Sequence, residues 1–281
     1  MARNVDREHI FYAHAVSLEG TLYLPFAQDI QPQNPVLLGE QGGYLHHHSE
    51  NFRLQGIVSY KSAYTQVAGN LDDKPHHGWN TLSTSVLEGL NVMDVVTVDR
   101  IVGQILTHHP EEGYVPSVTF LGTRFENFRI AGHPVELDFD ANMLGPKPLN
   151  DAPYTSDADF LDRVTQQYDR IRTHKNVPAE IAARYNQNPS ASANRESIEC
   201  SLVHQVQGSF PGHSYGHVID IPHFGKIYLA TLRVEHSNFH HKTGAPVKTE
   251  LSLTMIRVKM GCTGSGGITG GSGKTNGQSG G

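Results

Sequence analysis

The 281-residue chain has few charged residues, no cluster of basic residues and no long apolar run. Charged residues make up 18% of it, below the quarter that is typical of soluble domains. No run of about 18 apolar residues occurs, so the sequence predicts no transmembrane segment. The formal net charge of −6 excludes a general nucleic-acid binder, because such proteins need a basic face to neutralise phosphates.

Cysteine is scarce, and a secretory leader is not apparent. The N-terminal residues carry charges that no apolar core follows, so the sequence as written predicts no signal peptide. The two cysteines are Cys200 and Cys262. They are either unrelated buried thiols or one disulfide, whose loop of about 60 residues would stabilise the fold by roughly 3–4 kcal/mol. A disulfide would indicate an oxidising compartment.

Motifs of known enzyme classes are also missing. Gly273-Lys274-Thr275 resembles the end of a phosphate-binding loop, but Ile268 stands where that loop needs its first glycine. The nucleophile elbow Gly-x-Ser-x-Gly of α/β-hydrolases does not occur. The sequence therefore favours a protein without catalytic activity.

What the chain does contain is glycine (28 residues) and alternating apolar patterns, which are typical of many short strands joined by turns. Residues 9–24 and 251–260 alternate with period two, which predicts strands. The apolar runs 92–98 and 100–106 predict strands that are buried on both faces. The fold class is therefore predicted to be all-β, with a sandwich- or barrel-like antiparallel core that is centred on residues 85–137.

A helical insertion interrupts the strand pattern at about 156–187. Apolar residues recur at helical spacing after Ser156, which together with Asp159 resembles a capping box, and a second short helix is predicted from Pro178. From Gly261 onward ten of 21 residues are glycine, which predicts a disordered tail unless something, such as a neighbouring copy, holds it. The predicted regions are an N-terminal β region (1–155), the insertion (156–190), a C-terminal β region on the same core (191–260) and the tail (261–281).

Histidine is the most unusual component, with 18 residues. His46 and His48 share a face if their segment is extended, and Glu50 follows closely, so they are candidate ligands for Zn²⁺ or Cu²⁺, or with carboxylates for Ca²⁺. His76 and His77 lie in a turn-rich connection and are further candidates. The alternative is that all of them are solvated. A cupin-type site does not fit, because Glu50 follows His48 too soon.

The order of several segments resembles the bacterial surface proteins called choice-of-anchor P. The segments that carry the resemblance are HAVSLEGTLYLP, NFRLQGIVSYKSAY, STSVLEGLNVMDVVTVDRI, FENFRIAGHPV, IDIPHFGKIYL and LTMIRVKM. They span residues 9–260 apart from the insertion. The resemblance implies an exported, cell-surface β domain, and it carries over no catalytic residue.

The leading hypothesis is therefore a structural, self-assembling extracellular or cell-surface protein, such as a subunit of a fibre, coat or surface layer. Its expected partner is a second copy of itself, as a homo-oligomer or polymer. A histidine-rich metal-binding protein or metalloenzyme is the first alternative. The second is a module that binds surface glycans or another ligand, with tyrosines and Trp79 as a stacking surface.

Overall fold

A computed structural model describes residues 9–24, 26–72, 78–186, 189, 196–261 and 265–279. It confirms the predicted fold class, because two antiparallel sheets pack face to face as a sandwich. Within the described part of the chain, no helix has the length and apolar character needed to span a bilayer.

Sheet A has nine strands and includes both the first and the last strand of the fold. Its strands, in the order in which they lie side by side, are β15 (His213–Tyr215), β16 (Val218–Ile221), β17 (Gly225–Phe239), β18 (Pro246–Met260), β19 (Ser265–Ser279), β1 (His9–Leu24) and β2 (Gln28–Gln33), with β13 (Ser197–Ser201) beside β17 and β3 (Val36–Leu37) beside β1. In the middle of the sheet, β19 therefore pairs with β1, from which it is far apart in sequence.

Sheet B has eight strands and is built mostly from consecutive hairpins. Its strands in spatial order are β11 (His133–Pro134), β10 (Arg129–Ile130), β7 (Val96–His109), β6 (Trp79–Val92), β5 (Val58–Leu71) and β4 (Gly43–Leu54), with β8 (Ser117–Thr119) and β9 (Arg124–Glu126) also beside β7. The remaining elements are the pair β12 (Glu136–Phe139) and β14 (Val203–Gln207), the helices α1 (Ala158–Arg172) and α2 (Ala179–Arg184), and two 3-10 turns at Leu149–Asp151 and Tyr154–Ser156.

The apolar run predicted as one strand at 92–98 is instead a hairpin turn between β6 and β7. Met93 and Asp94 both have left-handed backbones, with φ of 53° and 55°, and the Val95 amide donates to the Val92 carbonyl oxygen (3.0 Å), which closes the turn. The amide of Asn91 donates a hydrogen bond to the Asp94 carboxylate (2.7 Å), which fixes the turn. The prediction was wrong because four of the residues that flank the turn are apolar, so that the whole segment has the pattern of a buried strand.

The two predicted helices are present, and α1 covers an edge of sheet A. Its N-cap is Asp157 rather than Ser156, and the Asp157 carboxylate accepts from the Phe160 amide (2.8 Å). The side chain of Gln167 exchanges two hydrogen bonds with the backbone of Ser201 in β13. Because these bonds occupy the free edge of β13, no further strand can pair there.

Between the sheets lies a large apolar core that gives way to small polar side chains near β1. Ser83 and Ser85 on β6 donate to the carbonyl oxygens of His14 and Val16 on β1, at 2.9 and 3.0 Å. These buried hydroxyl groups fasten one sheet to the other across the sandwich. Polar groups are tolerated there because each one has a partner.

The glycine-rich segment is not a disordered tail but β19, the strand between β1 and β18. What holds it is its own chain, because it pairs along its length with both neighbours. The phosphate-loop-like residues are part of this strand, and Lys274 forms an ion pair with Glu250. Glycine is needed because sheet B lies very close: a Cβ atom on Gly270 would meet Leu87 at 3.2 Å and one on Gly273 would meet Ser83 at 2.8 Å.

This close approach predicts how β19 responds to larger side chains. Gly270→Val should lower the free energy of unfolding by about 1–3 kcal/mol, the usual cost of overpacking a core. Gly267→Val is the matched control, since a Cβ atom there meets only the Val258 carbonyl oxygen at 3.9 Å. Urea denaturation of both variants measures the difference. Equal losses would show that the spacing between the sheets does not explain the glycines.

Candidate assembly surface

The most exposed element of the sandwich is β4, the outermost strand of sheet B. Among the described strands it pairs only with β5. The residues at 33–38 pack beside β5, where Asn34 bonds to Ala63 and Thr65, and β3 also approaches β4. Tyr44 is 57% exposed and Leu45 is 47% exposed, although they lie on opposite faces of the strand. From residue 43 to 48 the strand is thus exposed on both faces, and its outer edge carries one row of free backbone groups.

His46, His48 and Glu50 share one face of β4, as the sequence predicts for an extended segment. They lie opposite Gln66, Tyr64 and Ser62, the half-exposed residues of β5, and therefore face away from sheet A. The Nε2 atom of His48 lies 3.8 Å from the Glu50 carboxylate.

The odd-numbered residues of β4 point the other way. His47 lies opposite Thr65, which is buried, and the Ser49 hydroxyl is 2.8 Å from the hydroxyl of Tyr60, which is also buried. His47 is nonetheless exposed.

The predicted metal ligands are not gathered into a complete site within one chain. Over the described residues, no three histidine, cysteine, aspartate or glutamate side chains converge on a position that could hold a metal ion. His76 and His77 lie outside those residues. The predicted disulfide also stays a prediction: Cys200 is a buried thiol whose pKa is raised by desolvation, and Cys262 lies outside the described residues.

Two other histidines are buried and have perturbed pKa values. Burial lowers the pKa of His236 to about 4, and its Nδ1 atom lies 3.0 Å from the Thr249 hydroxyl. Burial, followed by the charge of Arg184, lowers the pKa of His217 to about 3. The Nε2 atom of His217 lies 2.8 Å from the Tyr185 hydroxyl, which links α2 to the turn before β16. Both imidazoles are therefore neutral structural groups at pH 7.

A shallow groove of about 590 Å³ lies at the opposite side of sheet B from β4. Phe125, Phe128 and Phe139 contribute aromatic side chains, and Arg124 and Arg129 contribute charged ones. Trp79, proposed from the sequence as part of a glycan-stacking surface, is not in this groove. Its ring stacks on His9 at 4.9 Å between centroids and packs against the smaller apolar cluster.

Sequence reasoning identified the histidines of β4 but not the exposure of the strand. The signal that could have revealed it is the lack of alternation: in residues 43–51 polar side chains occupy both faces, whereas β5 alternates between buried and half-exposed residues. A strand that is polar on both faces is not covered by another sheet.

The low pKa values of the two buried histidines predict acid destabilisation. Because the unfolded chain binds protons at a pKa near 6.5 and the folded chain does not, stability is lost as pH falls below 6.5. Each histidine should contribute a slope of about 1.4 kcal/mol per pH unit between pH 6 and 4. His236→Gln removes one of these titrating groups, so the free energy of unfolding should change with pH by about 1.4 kcal/mol per pH unit less. Urea denaturation at several pH values measures this change. An unchanged slope would show that His236 titrates normally in the fold.

Comparison with known proteins assigns the chain to a family without assigning a function. No curated protein and no solved structure matches it. A family model described as a domain of unknown function (DUF8256) matches residues 9–235. That match runs from β1 into β17 and includes all of sheet B and both helices. The chain therefore belongs to the DUF8256 family.

Proposed function

We propose that this protein is a structural, self-assembling β protein that pairs with a second copy of itself through β4. The observation that carries the proposal is that the edge strand β4 is exposed on both faces over residues 43–48. Exposed edge strands are templates for pairing with another chain, and proteins normally block them. A long open edge therefore supports a function in assembly.

The other sheet edges support the proposal by contrast. The edge of β13 is covered by α1, and β7 is flanked by β8, β9 and β10. The β2 edge has six residues and contains Pro32, which lacks a backbone donor. The β15 edge has only three residues. These other edges are thus short, interrupted or covered, and among the described edge strands β4 has the longest row of free groups.

Charge and symmetry favour a second copy as the partner. The chain carries a net charge of −6, which opposes association through most of its surface. The β4 strand carries one acidic residue, Glu50, and one basic residue, Arg53, so it has no net charge when its histidines are neutral. Antiparallel pairing of β4 with its own copy obeys a two-fold axis and closes a dimer. Larger coats or fibres would need a second contact.

The proposed location is extracellular or at the cell surface, and it rests on the resemblance to the choice-of-anchor P proteins. An all-β sandwich agrees with that resemblance. The proposed role is to hold or extend a surface structure rather than to catalyse a reaction.

Sedimentation velocity over a range of protein concentrations tests this assembly. The wild-type chain should form a dimer, and His47→Lys should weaken it at least tenfold, because symmetric pairing places the two introduced ammonium groups opposite each other. Leu121→Lys is the control, since Leu121 is 78% exposed in a turn away from β4. A wild-type monomer at every concentration would refute the proposal, as would equal weakening by both variants.

Ligand binding is a second candidate function, and the groove lined by Phe125, Phe128 and Phe139 favours it. Its combination of aromatic and polar groups fits a saccharide, whose apolar faces stack on rings while its hydroxyl groups bond to the rim. Phe139→Ala should abolish binding to a glycan array without changing the dimer. Silence of the wild-type protein on the array would remove this candidate.

A further inference from the structure

We propose that the β4 pair forms a transition-metal site in which His46 and His48 of both copies are the ligands. The inference rests on the proposed self-assembly, because each chain supplies only half of the site. The metal would be Zn²⁺ or Cu²⁺, since imidazole suits these ions and hard cations such as Ca²⁺ take oxygen ligands.

One chain cannot complete the site. His46 and His48 are two residues apart on an extended strand, so their Cα atoms lie about 7 Å from each other. Both side chains are exposed and face away from sheet A. Zinc usually takes three or four protein ligands in tetrahedral geometry, and two imidazoles from one strand leave at least one position open.

The backbone of β4 sets the register of its symmetric pair. The extended segment runs from Tyr44 to Glu50, because the residues on either side have left-handed backbones: φ is 109° at Gly43 and 58° at Asn51. A symmetric antiparallel pair that uses the whole of this seven-residue segment must be centred on His47. Centring the pair on His48 would bring Asn51 of each copy into the ladder, and centring it on His46 would shorten the pairing.

In this register the outward-facing histidines of the two copies meet. His46 of one copy lies directly opposite His48 of the other, and the reverse pair lies beside it. Directly opposite residues have Cβ atoms about 4.5–5.5 Å apart, so two rows of two imidazoles form one compact patch. Imidazole nitrogens bind a metal at about 2.0–2.1 Å. Rotation about χ1 and χ2 can bring the four rings to that distance from this spacing. His47 faces the other side and takes no part.

A metal bound between the copies would strengthen the dimer by mass action, because the monomer lacks the full ligand set. Assembly would then respond to the supply of the metal, while the backbone pairing would set which residues meet. This coupling gives the histidines of an otherwise structural strand a function.

The test uses the full chain without a histidine tag, in EDTA and in ZnCl₂. Sedimentation velocity should show a dimer in EDTA that becomes at least tenfold tighter with zinc. Elemental analysis of the isolated dimer should find one zinc ion for two chains. A dimer that is unaffected by zinc would refute the metal site and leave the proposed function standing. A monomer under both conditions would refute both.

Two variants locate the ligands. The double variant His46→Ala/His48→Ala should still form the EDTA dimer but lose the response to zinc. The matched control His47→Ala removes the adjacent histidine on the opposite face and should keep one zinc ion for two chains. Loss of zinc from both variants, or its retention in the double variant, would overturn the assignment. One zinc ion for each monomer would place the site within a single chain and would also overturn it.

Discussion

The fold depends on how closely the two sheets approach each other along β19. A Cβ atom on Gly270 would lie 3.2 Å from Leu87 of sheet B, and one on Gly273 would lie 2.8 Å from Ser83. The same constraint acts from the other sheet, since a Cβ atom on Gly103 of β7 would lie 2.8 Å from Met255. A strand with glycine at these positions fits this gap. Burial of the surrounding large residues compensates for the conformational entropy that glycine loses in a strand.

The sequence was sufficient to predict the fold class, but not the parts of the fold that depend on long-range contacts. Alternation at 9–24 and 251–260 predicted β1 and β18, and the apolar stripe at 156–173 predicted α1 within two residues at each end. The composition of β19 gave the wrong prediction, because glycine lowers strand propensity wherever packing does not require it. The turn at Met93 and Asp94 was hidden because it contains no glycine or proline and lies within a run of valines.

The candidate site shows a similar division. That His46 and His48 share a face follows from the two-residue period of a strand, and the structure agrees. That residues 43–48 of β4 are exposed on both faces depends on which other segments pack against the strand, which no local pattern encodes. Exposure and symmetry, rather than the histidines alone, are the grounds on which we propose this strand as a contact between copies. The buried His217 and His236 show that histidine content by itself does not identify a ligand set.

The position of β19 between β1 and β18 also determines the order in which the protein can fold. The hydroxyl of Ser272 contacts the Val16 carbonyl oxygen across 256 residues of sequence. During synthesis β1 and β18 therefore each keep one unpaired edge until β19 has been made. Sheet B has no such delay, because its long strands pair with their neighbours in sequence. Such separation favours slow folding through an intermediate in which sheet B is formed and sheet A is still open.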